Sequence, residues 1–144
     1  MSVERGQRMI LGIGFDLVEV SRIARALGEH GGRFESRVFT ASELSDCDGR
    51  ADRDQALAAR FAAKEACLKA LGTGWAHGLG FQQVEVLRAG GGRPVLRLLG
   101  VAKARADALG VRSALVSLTH QKGMAGAVVV LEGGPDRDAV SSLS

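Results

Sequence analysis

Asp16 lies in a glycine-rich apolar stretch, and Arg60, Lys64, Glu65 and Lys69 fall within a run made largely of alanine. On a helical wheel, residues 57–71 place Leu57, Phe61, Leu68 and Leu71 on one face, while Ala58, Ala59, Ala62, Ala63, Ala66 and Ala70 cover the rest. A helix apolar all round is buried, and its charges then need partners. Arg60 and Lys64 stand four apart with like sign, which costs a few tenths of a kcal/mol in an isolated helix; an anion bound between them reverses that sign. The ordinary alternative is an exposed alanine side on which Glu65 and Lys69 form a routine i,i+4 pair worth about 0.2–0.5 kcal/mol. For Asp16 the ordinary alternative is a cap or turn residue opening the next helix. Against it stands the face Asp16 shares with Gly12 and Gly14, where missing side chains leave room for a ligand beside the carboxylate.

The elements that must hold these residues follow from hydrophobic period. Residues 9–18 alternate as a strand, with Leu11, Ile13, Phe15 and Leu17 on one side and Gly12, Gly14 and Asp16 on the other. Val20, Ile23, Ala24 and Leu27 recur at helical spacing, and Gly28 fits a cap just past the end. Residues 29–55 have poor periodicity; Phe34, Val38, Phe39 and Leu44 anchor a helical turn or two in a lid-like connection. The alanine-rich helix over 57–71 stops at Gly72-Thr73-Gly74. Residues 84–88 and 95–99 form a hairpin about Gly90-Gly91-Gly92-Arg93-Pro94, and 101–109 form a short helix. Residues 115–120 and 125–131 make a second hairpin around Gln121-Lys122-Gly123. The order predicts one α+β domain over 9–132 with a mainly antiparallel sheet. Residues 1–8 read as a frayed extension and 133–144 as a flexible tail.

Composition bounds the function. With 144 residues, 46% hydrophobic and 24% charged, the chain fits one compact domain. A domain of this size buries roughly 68–70% of its unfolded surface, so it needs no metal or disulfide staple, and any metal is functional. Cys47 and Cys67 form no CxxC pair, and neither a signal segment nor a membrane-length apolar run appears, which reads as a soluble protein of a reducing cytosol. A net charge of +3 and pI near 9.3 allow an anionic partner without selecting nucleic acid. Five Phe, one Trp and no Tyr argue against a base-stacking single-strand binder.

The stretch Gly12-Ile13-Gly14-Phe15-Asp16-Leu17-Val18-Glu19-Val20-Ser21-Arg22-Ile23 resembles the opening motif of the holo-acyl-carrier-protein synthase family. Arg60-Phe61-Ala62-Ala63-Lys64-Glu65-Ala66, with Lys69-Ala70-Leu71-Gly72-Thr73-Gly74, resembles its second motif. Arg37-Val38-Phe39-Thr40 with Glu43, Val84-Glu85-Val86, Gly92-Arg93-Pro94 and Val116-Ser117-Leu118-Thr119-His120 match in family order. The chain departs from the pattern at Cys67-Leu68, where an aromatic and polar pair is frequent, and in residues 46–54, which are acidic and basic by turns.

The resemblance implies transfer of phosphopantetheine from coenzyme A to a serine of apo-acyl carrier protein, with release of 3′,5′-ADP. It implies that Asp16 and Glu65 bind Mg²⁺, in keeping with that ion's preference for a few carboxylates and substrate phosphates. Lys69 then reaches a pyrophosphate oxygen, Arg60 and Lys64 line the phosphate-binding region, and His120 sits near coenzyme A across a subunit boundary. Because the chain has about half the length of the two-lobed transferases, the resemblance also implies a homotrimer with interfacial sites. Arg22 and Arg33 are the candidates for docking the acidic carrier. Two rival classes remain: a module that holds coenzyme A or a related nucleotide without turning it over, and an RNA-binding domain using the basic residues.

Overall fold

The computed structural model describes residues 7–74, 78–88 and 92–134. In chain order the elements are β1 (Met9–Glu19), α1 (Val20–Gly28), α2 (Arg33–Val38), α3 (Ala41–Cys47), α4 (Arg53–Leu71), β2 (Val84–Arg88), β3 (Pro94–Leu98), α5 (Gly100–Leu109), β4 (Val111–Gln121) and β5 (Met124–Gly133). The α+β class holds, and every strand pairing is antiparallel. The strands divide into a three-stranded sheet, ordered β1-β5-β4, and a separate β2-β3 hairpin.

The strand alternation read at β1 sets the layers. Gly14, Asp16 and Val18 lie opposite Val129, Ala127 and Ala125 of β5, which in turn face Val116, Leu118 and His120 of β4. This face carries α4, and its Val18, Ala125, Ala127, Val129 and Leu131 are buried with the helix alanines. The other face bears Ile13, Phe15, Leu17 and Leu115, each more than half exposed. The apolar side of β1 is therefore the outer one.

Gly12 and Gly14 do something other than leave room for a ligand. A Cβ on Gly12 would stand 2.1 Å from the Ala70 carbonyl oxygen, and one on Gly14 would stand 1.8 Å from that of Ala66. The glycines let the backbone of α4 lie directly on β1, and helix alanines complete the close approach. The room expected beside Asp16 is occupied by helix.

The connection over 29–55 is not lid-like. It folds into α2 and α3, whose Val38, Phe39 and Cys47 form a second small core with Ala56 and Leu57 of α4. Thr40 and Glu43 open α3 with a reciprocal capping box. These helices are too short for a periodic signal and are held by contacts remote in sequence. The long helix starts at Arg53 rather than 57, because its first turn is polar and carries no apolar signal. Gly28 is the last residue of α1, with Glu29 as its cap.

The second hairpin is longer than its apolar run. Gln121 and Met124 already pair, leaving Lys122 and Gly123, both at positive φ, as a two-residue turn. Gly133, placed in the tail by composition, pairs with Met9 and Val111. Most of the expected N-terminal extension, residues 1–6, lies outside the described residues, as do 135–144 of the expected tail and 89–91 of the first hairpin's turn.

Candidate active site

The close contact of β1 with α4 brings Asp16 to the helix. Lys69 Nζ donates to Asp16 Oδ1 at 2.9 Å and to the Phe15 carbonyl oxygen at 3.2 Å. Lys69 is more than half exposed while Asp16 is mostly covered, so the pair sits at the rim of the strand–helix contact. Glu65, half-buried, precedes Lys69 by four residues and lies one turn along the same side of α4. Asp16, Glu65 and Lys69 thus share one rim. Two carboxylates beside an ammonium suit a hard cation that takes few protein ligands and leaves the rest of its shell to water and phosphate.

Lys64 is placed differently from its expected role. Its side chain is wholly buried, and Nζ donates to Glu43 Oε1 at 2.7 Å, to the Val84 carbonyl at 2.6 Å and to the Phe81 carbonyl at 3.0 Å. An ammonium has three protons, and all are used. Glu43 is as fully engaged: Oε1 also accepts from Thr40 N, and Oε2 accepts from Val86 N. Thr40 Oγ1 donates onward to Glu85 Oε2 at 2.6 Å. Burial lowers the Lys64 pKa, and the Glu43 carboxylate pulls the other way. The counter-charge for Lys64 is internal, and its ammonium is spent on Glu43 and two backbone carbonyls.

Arg60 keeps an opening. Its guanidinium is about 1% exposed, and Nε and Nη1 donate to the carbonyls of Val86 and Ala56. Nη2 has no hydrogen-bond partner; the nearest carboxylate, Asp46, stands 3.7 Å away. Arg60 also lines a cavity of about 240 Å³, together with Arg50, Arg88, His120, Ala59 and Leu118. Three guanidinium groups and an imidazole converge there, which is the chemistry of an anion site. Sequence reasoning named Arg60 and His120 but missed Arg50 and Arg88. The charge alternation of residues 46–54 was the available signal for Arg50, and nothing distinguished Arg88.

The rim and the cavity belong to opposite edges of the sheet. Asp16 lies on β1 and His120 on β4, with β5 between them, a separation of roughly 10 Å from strand spacing alone. Arg22 and Arg33 lie exposed on the adjoining α1 and α2. No helix among the described residues is long and apolar enough to cross a membrane.

Residues 12–124 match the 4′-phosphopantetheinyl transferase superfamily. A holo-[acyl-carrier-protein] synthase of Methylobacterium radiotolerans is 50% identical over 131 residues, spanning 88% of this chain and 96% of that protein. The Helicobacter pylori holo-[acyl-carrier-protein] synthase in complex with coenzyme A superposes with a TM-score of 0.73 at 31% identity, covering 83% of this chain and 98% of that one. A Bacillus anthracis synthase in complex with CoA (3′,5′-ADP) gives a TM-score of 0.71 at 34% identity, with 88% and 99% covered.

Proposed function

Since the chain belongs to the holo-acyl-carrier-protein synthases of the 4′-phosphopantetheinyl transferase superfamily, we propose that it transfers phosphopantetheine with Mg²⁺ held by Asp16 and Glu65 and releases 3′,5′-ADP. The Lys69 to Asp16 ion pair, one turn from Glu65 on the β1–α4 rim, is the observation that carries this reading. Mg²⁺ supplies positive charge against the charge that grows on the phosphate oxygens. Lys69, more than half exposed, turns from Asp16 to a pyrophosphate oxygen and adds a second positive charge there. The carrier serine oxygen attacks the β-phosphorus, its proton passes to a nearby carboxylate for which Glu65 is the candidate, and the bond to the bridging oxygen breaks. The pair of phosphorus products is then the phosphopantetheinylated serine and 3′,5′-ADP.

The cavity around Arg60 and His120 takes the remaining phosphate of coenzyme A, the phosphomonoester, which matches its lining of three guanidinium groups and an imidazole. Because this cavity and the Asp16 rim lie on opposite sheet edges, one coenzyme A reaches both when the β1 edge of one copy meets the β4 edge of another. The exposed row of Ile13, Phe15, Leu17 and Leu115 provides the apolar surface for such a closed trimer. The carrier belongs to fatty acid or polyketide synthesis, and the enzyme works in the cytosol.

Incubation with apo-carrier, coenzyme A and Mg²⁺, followed by intact mass measurement of the carrier, tests the reading. A gain equal to one phosphopantetheine supports it; binding of coenzyme A with no mass gain makes the chain a non-catalytic holder. Light scattering checks the trimer. A His120→Ala variant and a Glu65→Ala variant then partly rescue each other on co-assembly, whereas a fully active monomer removes the shared site.

A further inference from the structure

We infer that Asp52 is a built-in competing anion for the cationic cavity, seated on Arg50 and beside His120 until a phosphomonoester displaces it, and returning as product leaves. The inference rests on the reading of that cavity as the coenzyme A phosphate site.

Asp52 occupies the residue before α4, where an aspartate side chain ordinarily accepts from the first helical N–H groups; here it makes no such cap bond. Its carboxylate instead takes Arg50 Nε on Oδ1 and Arg50 Nη2 on Oδ2, both at 2.8 Å, and Oδ2 stands 3.8 Å from His120 Nε2. The two-pronged geometry is the one a phosphate adopts on a guanidinium. The Arg50 hydrogen bond holds the Asp52 carboxyl below its ordinary pKa, so it is ionised at neutral pH.

Asp46 faces a different part of the cavity: Oδ2 accepts from the Arg88 backbone N–H at 3.2 Å and stands 3.7 Å from Arg60. Asp52 is the carboxylate on Arg50 and beside His120, and it is partly exposed to solvent. Its pair with Arg50 is about one-third exposed on each side, and such pairs are worth only about 0.2–1 kcal/mol. A phosphomonoester carries roughly −1.5 to −2 charge at pH 7 and three acceptor oxygens, so it outcompetes a single carboxylate.

The consequence lies in turnover. Coenzyme A and 3′,5′-ADP carry the same 3′-phosphate, so a cavity of three arginines and a histidine with no internal anion would hold product as firmly as substrate. Asp52 lowers both affinities and shortens the life of the product complex, a step that limits many enzymes.

The test is calorimetric titration of 3′,5′-ADP and of 5′-AMP, which lacks the 3′-phosphate, into wild type, Asp52→Asn and Arg88→Gln. The Asn variant keeps the shape and loses the charge. It is expected to bind 3′,5′-ADP about two- to five-fold more tightly, with 5′-AMP unchanged. Its steady-state kcat falls while the single-turnover rate stays at the wild-type value. Unchanged or weaker 3′,5′-ADP binding by Asp52→Asn, with Arg88→Gln weakened, overturns the competing-anion role and leaves the cavity assignment standing. Unchanged binding in Arg88→Gln as well overturns both, because the phosphate then sits elsewhere.

Discussion

Gly14 of β1 lies so close to Ala66 of α4 that a single added methyl would stand 1.8 Å from the Ala66 carbonyl oxygen. The obstacle is backbone, which cannot rotate away as a side-chain tip can. Gly14→Ala is therefore expected to cost about 3 kcal/mol or more, at the upper end of overpacking penalties. It also moves α4, and with it Glu65 and Lys69, off the Asp16 rim. Urea denaturation should show the lower midpoint, and whatever folds should transfer poorly. A variant of wild-type stability would mean that the strand–helix contact is looser than described.

Asp16→Ala and Glu65→Ala are each expected to reduce transfer by about 100-fold or more while leaving the fold intact, since each removes one of the two carboxylates proposed to hold an ion that takes few protein ligands. Both residues are at a rim rather than within the core. Chelation with EDTA should do the same to wild type, reversibly on adding Mg²⁺. Circular dichroism and the carrier mass assay together check this. Transfer that persists in excess EDTA would remove the metal role.

The sequence made the layers legible wherever a period ran long enough. The alternation from Met9 to Val18 exposed both faces of β1, and the alanine-rich run marked α4. It could not show that Gly12 and Gly14 touch a helix, because an open glycine face looks the same whether ligand or backbone fills it. Nor could it separate Arg60 from Lys64. Both are cations on one helix, four residues apart, yet one meets Glu43 across 21 residues and the other opens on a cavity made partly by β4. Partners so remote leave no local trace. Only the alternating charges of residues 46–54 hinted at what Asp46, Arg50 and Asp52 do together.

Lys64 and Glu43 form a wholly buried ion pair whose other hydrogen-bonding capacity is spent on backbone. Removing one partner strands the other charge in a dry site, so Lys64→Met is expected to cost about 3–5 kcal/mol. Lys64→Met combined with Glu43→Gln should cost less than the sum of the single changes. Urea midpoints for the two single variants and the double variant test this. Additive costs would show that the pair is not coupled.

Cys67 is fully buried, and desolvation pushes its thiol pKa up to about 12, while an unburied thiol in the unfolded chain ionises near 9.0. The folded pKa is raised, so this contribution is fully present below pH 9 and is lost as pH rises from about 9 toward 12. The rate of loss is about 1.4 kcal/mol per pH unit. Cys47, also buried and raised, adds to it in the same direction. Wild type should therefore lose stability above pH 9 more steeply than Cys67→Ala, measured by urea midpoints at pH 8, 9 and 10. In the native state neither thiol should react with a disulfide reagent at pH 8. Fast labelling of the folded protein, or parallel pH curves for the two proteins, would contradict the burial argument.

Arg22 stands exposed on α1, directly after the strand that carries Asp16, and Arg33 stands exposed at the start of α2. α1 buries Val20 and Ile23 and presents Arg22 and Arg25 outward, so this basic surface adjoins the reaction rim without forming part of it. An acidic helical carrier approaching the rim is attracted there by charge, and the attraction weakens with salt over a Debye length of about 8 Å at physiological ionic strength. Arg22→Glu is expected to raise KM for the carrier about ten-fold, a difference near 1.4 kcal/mol for replacing attraction by repulsion. KM for coenzyme A should stay unchanged, because the contacts proposed for the coenzyme, Lys69 and the Arg60 cavity, do not include this surface. The salt dependence of kcat/KM for the carrier should flatten, and Arg33→Glu should act in the same direction. Steady-state kinetics varying one substrate at a time separates docking from chemistry. An equal rise in both KM values, or none for the carrier, would move the carrier to another face of the molecule.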